Sequence, residues 1–324
     1  MYQDNNTNWE PTISVIIPTY NSRNEIGQCL ESLINQTYPR ELVEIIVVDC
    51  GLDDTAKIAE KFTSKILKSE SRLTIGKARN KGISLATGEI LAFIDSDCIA
   101  PSNWLKASIE DFEEFPEIGG ILFGVTGGKT TFTKWLNYEF AKNEKFLSHN
   151  GLGVEFGIVF KRIVFDLGCR FGEAPQKEGF ILSNCIKKNG LPLLKDRTVR
   201  IIHATRASII RWIKRAFTLG VIQRSYINQI GEKRKTNSFF SVLALFSILS
   251  FFLYMFFPFN LMPPFITLLI LAYYTVKNNI LPHEYAPISA KLNFFFLGII
   301  LKWVYWIGYA TKLITGYPKP KHYN

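Results

Sequence analysis

The chain has 324 residues, of which 47% are hydrophobic, and its formal net charge at pH 7 is +10. This composition is too polar for a protein that lies entirely in a membrane, and the length allows one large domain or two ordinary ones. Five cysteines are scattered singly without CxxC spacing, which argues against a zinc site or a disulfide framework and predicts reduced thiols facing the cytosol. Residues 1–12 are mostly polar and predict a short tail without a secretory signal.

The first hundred residues alternate between short apolar segments and amphipathic ones. The predicted strands are residues 13–17, 43–48 and 90–94. The predicted helices are one with the apolar stripe Ile26, Cys29, Leu30, Leu33 and Ile34, then residues 55–62 and 75–85. Ser22 and Glu25 have the spacing of a capping box for the first of these helices. Apolar strands that alternate with helices predict an α/β domain, over residues 13–206, whose mostly parallel sheet is covered by helices.

Carboxylates follow two of the predicted strands at the point where each strand ends. Asp49 comes after the second strand, and Asp95 and Asp97 come after the third, one residue apart. Ligands of such sheets bind beyond the carboxyl ends of the strands, so all three side chains are expected at the ligand edge. A hard divalent cation between Asp95 and Asp97 would neutralise both and leave positions open for phosphate oxygens. The structural alternative is that one aspartate caps a turn and the other is solvated.

The segments PTYNSRNEIGQCLESLINQTYP, VVDCGLDDTAKIAEKF and GKARNKGISLATGEILAFIDSDC resemble, in order and spacing, the family 2 glycosyltransferases. The resemblance covers roughly residues 12–215. It implies the GT-A fold and transfer of a sugar, with inversion, from a nucleotide-sugar donor. The residues that it implies for donor binding are Pro18, Tyr20, Asn21, Asp49, Arg79 and Asp95. It also implies that Asp97 binds Mg²⁺ or Mn²⁺ directly.

The second strand end departs from the family pattern. The family often has two acids there, and Cys50 replaces the second one. Asp49 remains, so the resemblance implies that recognition of the base survives, either in the usual form of the family or in an altered one. Asp53 and Asp54 could serve as ligands, but their position before residue 55 favours helix caps.

Two further positions come from the later part of the resemblance. The segment KEGFILSNCIKKNG aligns with the place where the family carries an acidic pair that includes the general base. Here Glu178 is followed by Gly179, so Glu178 is the nearest candidate base, and a salt bridge to a neighbouring lysine is the alternative. His203 falls where many GT-A enzymes carry a histidine near the metal or the diphosphate, and a purely structural histidine is the alternative.

Positive charge is concentrated between residues 187 and 235, where thirteen Lys and Arg side chains stand against two acidic ones. Residues 207–226 interleave apolar and basic side chains, which predicts an amphipathic helix on an anionic membrane surface within a basic interfacial region at 207–235. Nucleic acid is the weaker interpretation of this charge, because no nucleic-acid-binding module accompanies it.

The remaining residues, 236–324, predict a membrane region. Residues 239–276 contain no charged side chain. They predict spans at about 239–257 and 261–276. A helix of nineteen residues is about 28 Å long, which is close to the roughly 30 Å thickness of the hydrocarbon core of a bilayer. Residues 292–310 are apolar but contain Lys302, and they either span the membrane or lie in its interface. A buried helical hairpin in a soluble core is the alternative for 239–276.

Together these features predict a multi-pass cell-membrane protein with a cytosolic catalytic domain. The expected activity is metal-dependent, inverting transfer of a sugar from a nucleotide diphosphate sugar to a lipid-linked or polysaccharide acceptor. A non-catalytic nucleotide-sugar-binding subunit of a membrane assembly is the rival interpretation, because the usual aspartate is missing at Gly179. A membrane-associated nucleic-acid binder would instead show affinity that falls steeply with salt.

Overall fold

The structure, a computed structural model, describes residues 9–127, 144–148, 157–173 and 178–203, together with the isolated residues 213, 214, 217, 300, 304 and 307. Nearly all of the interfacial region predicted at 207–235 and of the membrane region predicted at 236–324 therefore lies outside the described residues. Within the ranges that are described, no helix has both the length and the apolar character needed to cross a bilayer. The elements below all belong to one compact unit of the chain.

Strands and helices alternate along the chain as the apolar pattern predicts. The strands are β1 (Ile13–Thr19), β2 (Val43–Asp49), β3 (Lys65–Lys68), β4 (Ile90–Ile94), β5 (Cys98–Ile99), β6 (Gly120–Thr126), β7 (Lys145–Ser148), β8 (Gly157–Lys161) and β9 (Leu193–His203). The helices are α1 (Ile26–Ile34), α2 (Thr55–Ala59), α3 (Ile75–Leu85), α4 (Trp104–Glu114), α5 (Ile163–Asp166) and α6 (Glu178–Lys188). The predictions for β4 and α3 are confirmed to the residue, whereas α2 ends three residues before the predicted position.

The described strands form one sheet in the order β3-β2-β1-β4-β8-β6-β9-β5, and β7 also pairs with β9. Strands β1 to β4 pair in parallel. Strand β8 is antiparallel to both β4 and β6, and β9 is parallel to β6 but antiparallel to β5 and β7. The prediction of a mostly parallel sheet is therefore correct for β1 to β4 and for the β6–β9 pair, and it is wrong for the pairings of β5, β7 and β8. The apolar pattern does not distinguish the two, because a strand buried on both faces is apolar whichever way it runs.

Helices cover the sheet on both faces, which explains the nearly unbroken apolar runs in its strands. In β1, Ile13, Val15 and Ile17 pack into the core beneath α1 and α4, whereas Ile16 packs into the core beneath α3, α5 and α6. Helix α3 lies very close to β1, since a Cβ at Gly82 would come within 2.3 Å of the Ile16 Cγ2 atom. This close packing fixes the direction in which the first turn of α3 meets the ligand edge.

The predicted capping box at the start of α1 is wrong. Helix α1 begins at Ile26, and Glu25 at its N-cap makes no side-chain hydrogen bond to the helix. The Ser22 hydroxyl instead lies 2.8 Å from the hydroxyl of Ser96, between the strand-end loops after β1 and β4. A tertiary contact has taken the group that the local pattern assigned to the cap.

The cysteines also differ from the expectation of reduced thiols. Cys169 and Cys185 form a disulfide, with 5.5 Å between their Cα atoms. Cys29, Cys50 and Cys98 are free and buried. Spacing gave no sign of the bond, because the partners are sixteen residues apart and meet only when α6 folds back beside the segment after α5.

We expect the Cys169→Ser/Cys185→Ser variant to lose about 3 kcal/mol of unfolding free energy. The reason is that its unfolded state regains the chain entropy that the disulfide removes by closing a loop of this length. Urea unfolding of the parent and the variant measures the difference. Titration of thiols in the unfolded parent should find three free thiols, the five cysteines less the bonded pair. Five free thiols, with parent and variant equally stable, would show that the bond does not form.

Candidate active site

The first part of the site lies where β1 and β2 end side by side. Thr19 and Gly51 donate hydrogen bonds to the Asp49 Oδ1 atom at 2.8 and 3.0 Å, so this buried carboxylate is held at the ligand edge. Asn21 has a positive φ of 53°, and its side-chain oxygen accepts a 2.9 Å hydrogen bond from the backbone N–H of Leu52. The two strand-end loops are thereby joined, and Asn21 and Asp49, both predicted for donor binding, come together.

The other two residues predicted in this loop have different surroundings. Pro18 lies inside β1, opposite Val48, and is buried. Tyr20 is 43% exposed beyond the strand end. The ring of Tyr20 therefore remains available for contact with a ligand.

Arg72 is a residue of this region that the sequence did not indicate. Its guanidinium carbon lies 4.1 Å from the centre of the Tyr20 ring, in the geometry of a cation–π contact. The loop that carries Arg72 is tied to the end of β2, since the Ser69 N–H donates to the Asp49 carbonyl at 2.8 Å. Nothing in the sequence pairs residues 20 and 72, because this contact depends on the pairing of β2 with β3.

Asp53 acts as a cap, as predicted. Its Oδ1 atom accepts from the Thr55 N–H at 3.1 Å, and its Oδ2 atom accepts from the Arg23 N–H at 3.2 Å. Asp54, at the N-cap position of α2, makes no side-chain cap hydrogen bond, so the cap prediction is wrong for Asp54.

The second part of the site is an ion-pair chain from β4 to α6. Arg79, which is buried on α3, lies 2.9 Å from Asp95 Oδ1 through one terminal nitrogen and 3.5 Å from Glu178 Oε1 through the other. Burial raises the pKa of Asp95, and the guanidinium of Arg79 acts against that rise. Among the described residues, Glu178 therefore pairs with an arginine of the site, whereas Lys177, its neighbour in the sequence, lies outside the described residues.

The third part of the site is a pair formed by Asp97 and His203. Antiparallel pairing of β5 with β9 sets Cys98 opposite His203, so residues far apart in the sequence become neighbours. The Nε2 atom of His203 lies 3.2 Å from the Asp97 Oδ2 atom. Burial alone would raise the pKa of Asp97, but the hydrogen bond and the charge of His203 outweigh burial, and the pKa lies below its ordinary value.

Known proteins are similar to the part of the chain that carries most of these site residues. Residues 14–167 match the model of the family described as Glycosyl transferase family 2. Glycosyltransferase AglE of Haloferax volcanii is 37% identical over 129 residues, which cover 38% of this chain and 40% of AglE. The family match covers the part of the chain that carries the strand-end aspartates, and it shows that this part resembles glycosyl transferase family 2.

A longer match reaches a Methanococcus voltae protein. It is named dolichyl N-acetyl-alpha-D-glucosaminyl phosphate 3-beta-D-2,3-diacetamido-2,3-dideoxy-beta-D-glucuronosyltransferase, and it is 26% identical over 248 residues, covering 67% of this chain and 75% of that protein. The Staphylococcus aureus poly(ribitol-phosphate) beta-N-acetylglucosaminyltransferase TarS is 38% identical over 107 residues, which cover 19% of TarS. The chain thus spans less than half the length of AglE and of TarS.

Solved structures support a GT-A-like fold for this chain. Residues 1–349 of S. aureus TarS match with a TM-score of 0.50 and 23% identity, over 77% of this chain and 73% of that one. A mannosyltransferase from Pyrobaculum calidifontis, solved with GDP-Man and Mn²⁺, matches with a TM-score of 0.58 and 19% identity, over 94% of this chain and 87% of that one. At these identities the likeness concerns the fold alone.

The residues of the third part include donor groups that suit the divalent ion implied by the resemblance to family 2 glycosyltransferases. One oxygen of Asp97, the Cys98 sulfur and one nitrogen of His203 all lie within 4.8 Å of one another. The Cys98 sulfur is a soft donor, which suits softer metals than Mg²⁺ or Mn²⁺. The remaining carboxylate oxygen and imidazole nitrogen are a donor set that a hard or borderline cation such as Mn²⁺ accepts.

Proposed function

We propose that this protein is an inverting, metal-dependent glycosyltransferase that uses a nucleotide diphosphate sugar as donor. The observation that carries the proposal is that Asp97 and His203 lie together at the same sheet edge as Asp49 and Asp95. A nucleotide would extend from the Asp49 end of this edge towards the Asp97 end, which sets its diphosphate beside the candidate metal ligands. The match of residues 14–167 to glycosyl transferase family 2 supports the same conclusion.

The residues of the chain suggest how the reaction would proceed. Asp49 and Tyr20 would hold the base, and Asp95, fixed by Arg79, would hold the ribose end of the donor. Mg²⁺ or Mn²⁺, bound by Asp97 and His203, would stabilise the negative charge of the leaving diphosphate. Glu178 would take the proton of the acceptor hydroxyl. At the same time the oxygen of that hydroxyl would bond to the anomeric carbon, and the bond from this carbon to the diphosphate would break.

Our proposal for the acceptor and the location of the protein rests on other features. We propose a lipid-linked acceptor, or a growing polysaccharide, at the cytosolic face of the cell membrane. The uncharged stretch at 239–276 and the basic run before it support a membrane setting. The name of the M. voltae relative includes a dolichyl-linked phosphate, which supports a lipid-linked acceptor. The disulfide weighs against the cytosol, where such bonds are rare.

Thermal unfolding with UDP-GlcNAc or GDP-mannose, each with Mn²⁺ or with EDTA, tests the proposal. At least one donor should stabilise the protein when Mn²⁺ is present, by about 2.7 kcal/mol when its concentration is 100 times Kd. Stabilisation that is equal in EDTA would contradict a metal site. Absence of stabilisation by either donor would contradict donor binding as proposed.

A non-catalytic donor-binding subunit is the second candidate. It is favoured by Gly179, which replaces the expected aspartate, and by the engagement of Glu178 with Arg79. Slow Mn²⁺-dependent hydrolysis of the bound donor separates the two functions, because a transferase can use water as a poor acceptor. A donor that binds but is never hydrolysed, even with candidate acceptors present, would favour the subunit.

A further inference from the structure

A side chain of helix α3 forms hydrogen bonds with the backbone of the segment that leads to Glu178. Asn80 makes two hydrogen bonds to a single residue there, since its side-chain N–H donates to the Phe171 carbonyl at 2.9 Å and its side-chain oxygen accepts from the Phe171 N–H at 3.0 Å. A side-chain amide that satisfies both polar groups of one residue acts like a neighbouring strand. The backbone at Phe171 is therefore fixed relative to α3.

This fixed point continues directly to Glu178. The N–H of Gly172, the residue after Phe171, donates a 2.8 Å hydrogen bond to the carbonyl of Glu178. Asn80, Phe171, Gly172 and Glu178 thus form an unbroken chain of contacts. It ends on the backbone of the residue that begins α6.

The start of α3 packs directly against the backbone of residues 172 and 173. A Cβ at Gly76 would lie 1.8 Å from the Gly172 carbonyl oxygen and 3.0 Å from the Glu178 Cβ. The Thr74 hydroxyl donates to the Glu173 carbonyl at 2.9 Å, one residue further along. The N-cap residue of α3 and the first two turns of the helix therefore lie against residues 171–173.

Arg79 alone does not fix Glu178 in the same way. It makes its shorter contact, 2.9 Å, with Asp95, whereas its distance to Glu178 is 3.5 Å. A single ion pair of that length constrains a flexible carboxylate weakly. The two hydrogen bonds of Asn80 act instead on the backbone of the segment that leads to Glu178.

We propose that Asn80 is a positioning residue for Glu178, through which α3 sets the distance between the donor site at Asp95 and the candidate base. The proposal rests on the proposed function, since it assumes that Glu178 accepts the proton of the acceptor. The physical reason is that a base must stand within about 3 Å of the proton that it takes. A displacement of about 1 Å can cost on the order of 100-fold in rate.

The test compares Asn80→Ala with Asn189→Ala as a matched control. Asn189 also donates a side-chain hydrogen bond to backbone, to the Cys185 carbonyl at 2.9 Å, but it follows the far end of α6. The measurements are kcat and KM for Mn²⁺-dependent hydrolysis of UDP-GlcNAc or GDP-mannose, whichever of them stabilises the protein. We expect Asn80→Ala to lower kcat by about 10- to 100-fold, with donor KM within about twofold of the parent, and Asn189→Ala to change neither.

A double variant separates positioning from a general loss of structure. If Asn80 acts through Glu178, the Asn80→Ala/Glu178→Gln variant should have the same kcat as Glu178→Gln alone, because the positioned group is already absent. Losses that multiply would overturn the proposal. A parental kcat for Asn80→Ala, together with a lowered kcat for Glu178→Gln, would also overturn the proposal. That result would leave the proposed function intact.

The remaining outcomes are also decisive. Parental turnover by Glu178→Gln would remove the base assignment, and with it both the mechanism and this proposal. If Asn80→Ala does not fold, Asn80→Asp serves in its place, since it keeps the acceptor for the Phe171 N–H and loses only the donor. The kcat of Asn80→Asp should then fall below that of the parent, because the Phe171 carbonyl has lost its donor, and a parental kcat would overturn the proposal.

Discussion

The Asp97→Asn variant should lose Mn²⁺-dependent binding of the donor. The substitution replaces a carboxylate oxygen, held as an anion beside His203, by a neutral amide that binds hard cations poorly. Removal of a residue that only hydrogen-bonds to a metal ligand already lowers metal affinity by about 10- to 100-fold. Loss of a direct ligand should therefore lower it by at least about 100-fold. Isothermal titration of UDP and GDP, with Mn²⁺ and with EDTA, measures the effect.

Asp53→Asn is the matched control for this prediction. Asp53 is an aspartate near the same sheet edge, but its oxygens cap α2 and accept from the backbone of Arg23. We expect its variant to bind nucleotide nearly as the parent does. If both variants bind like the parent in Mn²⁺ and in EDTA alike, Asp97 is not a metal ligand.

The Glu178→Gln variant should turn over about 10² to 10⁴ times more slowly than the parent, the usual contribution of a general base. Glutamine has nearly the same shape and can still contact Arg79, but it cannot accept the proton of the acceptor. The affinity for the donor should remain nearly unchanged, because Glu178 lies on α6, whereas Asp49 and Asp95, which we propose hold the donor, lie at the ends of β2 and β4. Single-turnover kinetics, with donor binding measured separately, distinguish the two effects.

Gly179→Asp tests the same site from the opposite direction. It restores the acid that the family pattern has at this position, so activity should be preserved or raised if the surroundings of α6 still suit that acid. Parental turnover by Glu178→Gln would exclude Glu178 as the base. It would favour another acid, a phosphorylated acceptor that needs no base, or the non-catalytic subunit.

The features that the sequence determined alone are those that depend on neighbouring residues. The limits of β4 and α3 follow from a short apolar run and from a helical pattern whose first turn is capped by the Thr74 hydroxyl. Because ligand sites of such sheets lie beyond the strand ends, Asp49, Asp95 and Asp97 could be placed at one edge without a structure. The cap role of Asp53 was equally local, since the acceptor and the helix that it caps are two residues apart.

Only the tertiary structure decided the features that join distant parts of the chain. The directions of β8 and β9, the disulfide between Cys169 and Cys185, and the contact of Arg72 with Tyr20 each depend on which segments become neighbours. Apolar periodicity reports burial, and burial is the same for strands of either direction. The roles of Arg79 and Glu178 in one ion-pair chain, and of Asn80 as the anchor beside it, follow from the packing of α3 against α6 and the segment before it, which no local pattern encodes.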